Sequence, residues 1–463
     1  MASDYRGRAP YEEHRGPDGQ VLPAYEQLLA ALEGVDLEEL YQRVVQRLAD
    51  DGARFGEEPF VVDVVPRLLS AGEWESLARG LAQRTRALNA FLSDAYAERR
   101  VVEAGIVAAE SIDGAEGYEP DLAGRLPAGS PPAPIIGFDL VRDPDGTFLV
   151  LEDNLRTPSG IAYLTAARDA LTAVLPDTIP RPRSIDPEIY GLLRAALVRA
   201  APPAAGPDPQ LLLLTDGPGN NAYYEHARLA AAIDASIATL DQLHTDGERL
   251  FLRTADSELR QIDVVYRRTD VDRVRDEHGA MTAIARALLP AWLAGNLGLV
   301  NAFGNGVADD KLVHGHVEDF VRFYLGEEPL VRSVPTTALD SPRSSADAIE
   351  RVRELVVKPR HGHGGTGVTI GSQADEAGLS HARTELERHP ERYIVQPIVP
   401  LSRHPTVIDG RLVPRHVDLR PFAFYADEVQ LAPGGLSRVS FDEGEMIVNS
   451  SRNGGGKDTW VLD

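Results

Sequence analysis

Several stretches of this chain carry side chains whose types and spacing could do chemistry. The first is GFDLVRDPDGTFLVLEDN (137–154), two apolar runs around Asp143-Pro144-Asp145-Gly146. A turn sequence between apolar runs predicts a β-hairpin. Alternation along the second arm puts Phe148, Val150, Glu152 and Asn154 on one face and Leu149, Leu151 and Asp153 on the other. A two-residue turn centred on Pro144-Asp145 pairs position 139 with 150 and 137 with 152. Asp139 and Glu152 then lie diagonally on one face, roughly 7–8 Å apart. That gap suits a hard cation bridged by two carboxylates, with Asn154 as a third oxygen ligand. Magnesium is held in this way, through one or two carboxylates plus substrate phosphates. A solvated hairpin edge with scattered acids has the same spacing.

A second stretch, VVKPRHGHGGTGV (356–368), ends an apolar strand on Lys358 and continues through Gly362, Gly364, Gly365, Thr366 and Gly367 into another strand. Glycines let backbone amides approach a phosphate closely, and a lysine beside them supplies a point charge. No GK[ST] follows and no helix opens after the glycines, so neither a Walker loop nor a dinucleotide fingerprint is present. A plain hairpin loop fits the composition equally well. Lys311, in VADDKLVHGHVEDF, is expected to start a helix, where a surface lysine is the ordinary reading. Gln396, in YIVQPIV, ends a buried strand and could line a pocket or an edge. Arg438, Asn449, Arg452 and Lys457 stand among the glycines of the last stretch, which either wraps a ligand or closes a sheet.

These residues need elements to hold them. A helix is predicted from Asp36, with Glu39 as capping-box partner and Leu37, Leu40, Tyr41, Val44, Val45 and Leu48 on one face. A second begins at Ser70–Glu73 and buries Trp74, Leu77, Leu81, Leu88, Phe91 and Leu92. Thr157-Pro158 reads as a cap followed by a first-turn proline, opening a helix with Ile161, Leu164, Leu171 and Leu175. Residues 176–209 are Pro-rich and read as a linker. LLLLT (211–215), a Gly/Asn loop, a helix through His226 to Ile233, and IDVVYRR (262–268) suggest a small open α/β unit. Within it Asn221 is expected to cap the helix, and Asn221, Tyr224, Glu225 and His226 are candidates for an acceptor pocket. Residues 1–24 read as a loose arm.

Composition narrows the function classes. With 47 Lys and Arg against 71 Asp and Glu, the net charge is −24. That balance disfavours non-specific binding to nucleic acid or anionic membranes, which needs clustered basic residues. The absence of cysteine removes disulfides, thiol nucleophiles, zinc ribbons and iron–sulfur clusters together. No apolar run approaches the ~18 residues of a membrane span, and the polar N-terminus does not resemble a signal peptide. Cytoplasm is the expected compartment.

Taken together, GFDLVRDPDGTFLVLEDNLRTPSG (137–160), GPGNNAYYEHARLA (217–230), IDVVYRR (262–268), ADDKLV (308–313), VVKPRHGHGGTGV (356–368), YIVQPIV (393–399), LRPFAFY (419–425), GGLSRVS (434–440) and NSSRNGGGKDTWVL (449–462) resemble the circularly permuted ATP-grasp family, type-2 branch. LEDNLRTPSG and GGGKDTWVL are its most specific segments. The arrangement is similar to that of glutathionylspermidine synthetase-type ligases. The acidic hairpin precedes the lysines, the order a permuted chain shows. The resemblance implies an α/β fold of α+β lobes: a magnesium-binding half within residues 25–180, a Rossmann-like pre-ATP-grasp domain at 205–296, and a lysine/glycine-loop half at 297–463. It also implies ATP and Mg2+ as cofactors. Asp139, Glu152 and Asn154 match the metal ligands, Lys311 and Lys358 the phosphate lysines, Gly364 to Gly367 the phosphate loop, and Gln396 the adenine-side strand. The synthetase motif has an arginine where this chain has Gly137, so Arg156 or Arg420 is expected to supply the transition-state cation. The implied activity is an ATP-dependent carboxylate–amine or carboxylate–thiol ligase, working through an acyl phosphate on small-molecule carboxylate and amine substrates. A small-molecule phosphotransferase and a non-catalytic ATP-binding partner protein are the alternatives.

Overall fold

In the computed structural model, which describes residues 5, 7–16, 18–127, 129–362, 366–446 and 454–463, the acidic hairpin forms the middle of a five-stranded sheet. Its arms, Ile135–Arg142 and Phe148–Asn154, pair antiparallel. Ile135–Arg142 is buried along its whole length, as a strand covered on both faces must be. Arg332–Ser333 flanks one side of the hairpin; Phe422–Tyr425 and Val429–Leu431 flank the other. A strand from near the chain's end thus joins one from its first third.

The hairpin register differs from the two-residue-turn expectation. Arg142 pairs with Phe148, leaving five residues in the loop, and Asp143 Oδ1 accepts from the amides of Asp145 and Thr147. A register shift between Asp139 and Leu140 then sets Asp139 directly opposite Glu152. A bulge of this kind re-aims side chains beside it. The two carboxylates are therefore cross-strand partners and not diagonal neighbours.

The open α/β unit has four parallel strands in the order Gly298–Val300, Val264–Arg268, Leu211–Thr215, Ser236–Ala238. A four-stranded antiparallel sheet orders Thr337–Ala338, Tyr393–Pro397, Leu355–Pro359 and Thr369–Ile370, so Lys358 and Gln396 stand on adjacent strands. The C-terminal strand Gly454–Leu462 lies between Gly435–Ser440 and Arg67–Ser70. Lys457 is fully buried there, donating to Asp63 Oδ2 at 2.8 Å and the Val65 carbonyl at 2.9 Å, so this part of the tail closes a sheet. Among the described residues, no helix is long and apolar enough to cross a membrane.

Helix caps follow the expectations in part. Asp36 accepts from the amides of Glu38 and Glu39, and Ser70 from that of Glu73. The second predicted helix spans Ala71–Ala95, and its stripe of Trp74, Leu77, Leu81, Leu88, Phe91 and Leu92 is buried. Thr157-Pro158, however, does not open a helix: Ile161–Val174 starts four residues later. Its first amides are capped from another unit, because Glu225 Oε1 accepts from Gly160 at 2.8 Å and Ala162 at 3.2 Å. Asn221 is not the cap of Tyr223–Ala232; the Asn220 side chain accepts from the Ala222 amide instead.

Of the N-terminal segment expected to be a loose arm, residues 1–4, 6 and 17 lie outside the described residues, and described ones are packed. Tyr5 is buried, and the Glu13 carboxylate is buried between Arg67 at 2.5 Å and Arg142 at 3.3 Å. Removing one member of a buried ion pair strands the other charge, at a cost of about 3–5 kcal/mol. Glu13→Ala is expected to lower stability by that order in urea unfolding, while Asp177→Ala, at an exposed pair with Arg181, changes it by less than about 1 kcal/mol. Equal small effects would detach the segment from the core.

Candidate active site

Two lysines from separate elements converge on one acid. Lys311 begins the helical turn Lys311–His314, capped by Asp310, which accepts from the Leu312 amide at 2.8 Å. Lys358 ends the Leu355–Pro359 strand. Each ammonium stands 3.8 Å from Glu152 Oε1. Lys311 also donates to the Gly362 carbonyl at 2.9 Å, at the entrance of the glycine loop. Gly364 and Gly365 lie outside the described residues, while Thr366 and Gly367 form the turn that leads into Thr369–Ile370, with Gly367 at φ +73°. Lys358 has no hydrogen-bond partner among the described residues. Burial pushes its pKa down, and the charge of Lys311 adds to this against the opposing pull of Glu152.

On the same hairpin face, Asp139 is buried under two guanidiniums. Arg420 Nε donates to Oδ1 at 2.6 Å and Nη2 to Oδ2 at 2.8 Å, and Arg438 Nη2 stands 2.9 Å from Oδ2. Burial opposes ionisation, but the two arginines outweigh it and hold the Asp139 carboxyl well below the usual range. Arg438 also pairs with Asp418. Arg420 reaches this point because residues 419–422 run beside Ile135–Arg142: Phe138 N donates to the Pro421 carbonyl, and Leu140 N to that of Leu419. This chain has Gly137 where the synthetase motif has an arginine, and Arg420 reaches Asp139 from the neighbouring segment. A side chain at Gly137 would meet Pro158 Cβ at 2.9 Å.

Arg156 goes elsewhere. Its Nε lies 2.9 Å from Asp272 and 3.8 Å from Asp309. Asn154 donates its amide to the Gly137 carbonyl at 3.2 Å, leaving its oxygen available. Gln396 is buried; its Nε2 donates to Thr336 Oγ1 at 2.9 Å, and its Oε1 has no partner among the described residues. Asn449 and Arg452 lie outside the described residues.

Of the supports of this site, Asn301 and Arg268 were not candidates in the sequence, and Glu225, a candidate for an acceptor pocket, is instead paired with Arg268. Asn301 donates to the Ile135 and Leu155 carbonyls at 2.7 and 2.5 Å and accepts from the Ile135 amide, tying together the outer ends of the hairpin. Arg268 and Glu225, a fully buried pair at 2.8 Å, grip the turn after the hairpin: Arg268 donates to the Pro158 carbonyl at 2.6 Å and Ser159 Oγ at 2.5 Å. Ser159 in turn accepts from Arg420 through its carbonyl at 3.3 Å. The open α/β unit therefore orients the loop beside Asp139. The IDVVYRR motif pointed to this strand, but no spacing rule connects it to residues 158–160.

Could these groups hold a metal or nucleotide? A carboxylate offers about four lone-pair sites. Three of Asp139's are engaged by the arginines, leaving one on Oδ1 beside Glu152 and the free oxygen of Asn154. That is a short hard-oxygen set, and among the described residues no group of three or more His, Cys, Asp or Glu is arranged to hold a metal. The Lys358 ammonium, paired only loosely with Glu152 at 3.8 Å, fits an anionic group, and Gln396 Oε1, without a partner among the described residues, fits a hydrogen-bond donor.

Residues 66–440 match the family model for circularly permuted ATP-grasp type 2. A Frankia alni protein with the provisional name glutamate–cysteine ligase 2-3 is 41% identical across 98% of this chain, which spans only 54% of that relative. An uncharacterized Mycobacterium tuberculosis protein is 38% identical over 98% of this chain and 84% of its own length. Among solved structures, a glutathione synthetase-like effector from Globodera pallida in its apo form shares the fold at a TM-score of 0.55 and 12% identity, covering 97% of this chain and 100% of that one. The chain belongs to the circularly permuted ATP-grasp type 2 family.

Proposed function

We propose that this chain is an ATP-dependent ligase that activates a small-molecule carboxylate as an acyl phosphate and transfers it to an amine or thiol. The observation that carries this reading is the convergence of Lys311 and Lys358 on Glu152 beside the Asp139–Arg420 pair. The Frankia relative's ligase name points the same way, although this chain spans about half of that protein.

In this reading Lys311 and Lys358 receive the phosphates of ATP, offsetting charge that Glu152 alone balances in their absence. A substrate carboxylate oxygen attacks the γ-phosphorus and ADP leaves. An amine nitrogen then adds to the acyl carbon, loses its proton, and expels phosphate. Arg420 is the cation nearest the hairpin acids and steadies the oxyanion that forms on the acyl carbon. Magnesium, when bound, would be held by Glu152, Asn154 and the remaining lone pair of Asp139, and would neutralise charge on phosphate oxygens. Gln396 Oε1 accepts from an adenine amino group. Arg156, engaged by Asp272, takes no part in the chemistry. No side-chain nucleophile is needed, in keeping with a chain that has no cysteine.

ADP release from ATP in the presence of paired acids and amines tests the reading. Glu152→Ala and Lys358→Ala are each expected to cut it at least about 100-fold with unchanged circular dichroism, on the scale of other transition-state charge contacts. Normal turnover in both would place the site elsewhere. Trapping the product as a phosphorylated acid that no amine consumes would favour a phosphotransferase, and wild-type protein that binds ATP without turnover would favour a non-catalytic partner.

The two arginines separate cleanly. Arg420→Lys loses the forked geometry and is expected to reduce kcat by about 100-fold. Arg156→Lys is expected to stay within about 5-fold of wild type, since a single charge-assisted contact to Asp272 persists. The reverse order would make Arg156 the catalytic cation.

A further inference from the structure

Between Glu152 and Asn154 the hairpin carries a third polar residue, Asp153, which points away from the candidate site. It is buried, and both its oxygens are engaged. Arg84 Nε donates to Oδ1 and Nη2 to Oδ2, each at 2.6 Å, and His314 Nδ1 stands 2.7 Å from Oδ2. Arg84 comes from the long Ala71–Ala95 helix and also donates to Ser333 Oγ, on the strand flanking the hairpin. His314 is the last residue of the helical turn that Lys311 begins.

A four-residue helical turn does not hold its own shape in water, because nucleation is unfavourable and most helical stability comes from packing. Its position is therefore set by its ends. The first is held by Asp310, which caps Leu312 and receives both Nε and Nη2 of Arg360. The other is held by the contact of His314 with Asp153. With a carboxylate on Nδ1, the proton sits on that nitrogen, and Nε2 is left as an acceptor. Among the described residues Nε2 is buried without a hydrogen-bond partner. The ring is therefore placed through Nδ1, which stands 2.7 Å from Asp153 Oδ2 and 3.1 Å from Arg84 Nη2. Burial also pushes the pKa of His314 down against the pull of Asp153, which keeps a third positive charge away from Lys311 and Lys358.

We infer that Arg84, Asp153 and His314 are a positioning unit that fixes where the Lys311 ammonium stands relative to Glu152. The inference rests on the nucleotide-binding reading above, since its effect is expressed through Lys311. Asp153 belongs to the same strand as Glu152, and His314 to the same turn as Lys311. One bond between them thus sets the spacing between acid and ammonium.

The test is a double-mutant cycle on the full chain, reading the Kd of MgATP by calorimetry, with thermal unfolding of each variant as a folding control. His314→Gln moves the amide to the Nε2 side of the ring and removes the contact with Asp153 Oδ2, leaving Arg84 as its partner. His314→Asn keeps an N–H where Nδ1 stands. The expected result is about tenfold weaker binding for His314→Gln, within about threefold of wild type for His314→Asn, and no further loss when His314→Gln is added to Lys311→Ala. Equal losses for His314→Gln in the presence and absence of Lys311, or equal losses for Gln and Asn, would overturn the inference and leave His314 a packing residue. Should His314→Gln fail to fold, His314→Asn alone decides, because a tenfold loss there contradicts the role of the Nδ1 donor. Wild-type protein that does not bind MgATP would overturn the functional reading itself, a result separable from the others because every variant would then be silent.

Discussion

The structure turns on an imbalance of buried charge. Lys311 and Lys358 are both drawn toward one oxygen of Glu152, and Arg420 and Arg438 toward one carboxylate, Asp139. Ammonium groups of like sign in a desolvated cleft repel, and each loses hydration that only a counter-charge can restore. No single segment of the chain could gather these groups. The acids come from a hairpin in the first third, the lysines and arginines from the last third, and the folded chain exists in this form only if its sheet joins the two.

That joining is specific at the level of backbone hydrogen bonds. Residues 419–422 lie along Ile135–Arg142, which brings Arg420 to Asp139. Lys358 arrives on a different sheet, and Lys311 on a short turn between that sheet and the hairpin. The open α/β unit reaches the loop after the hairpin through buried polar contacts: Glu225 caps the Ile161–Val174 helix, and Arg268 holds residues 158 and 159. These are buried polar bonds with a high cost of disruption, and they hold the loop after the hairpin beside Asp139.

Local reading of the sequence reached the hairpin, the sharing of one face by Asp139, Glu152 and Asn154, the helical start at Lys311 and the buried strand at Gln396, because alternation and capping act over a few residues. It failed where a partner came from far along the chain. The hairpin register depended on an Asp143-centred loop and on a bulge that no composition rule predicts. The helix expected at Thr157 starts at Ile161 because its cap is Glu225, which lies 64 positions beyond Ile161. The N-terminal segment looked polar and free, yet Glu13 is the counter-charge of two buried arginines. Of the two arginines offered as the missing cation, the sequence favoured neither. Sheet order lays Arg420 against Asp139, while Asp272 engages Arg156.

The most direct test is a crystal structure of the chain with magnesium and a non-hydrolysable ATP analogue. The account predicts triphosphate density against the Lys311 and Lys358 ammoniums, metal density touching Glu152 and Asn154, and the adenine edge within hydrogen-bond reach of Gln396. Nucleotide density in another cleft, with both ammoniums still facing Glu152 alone, would contradict it.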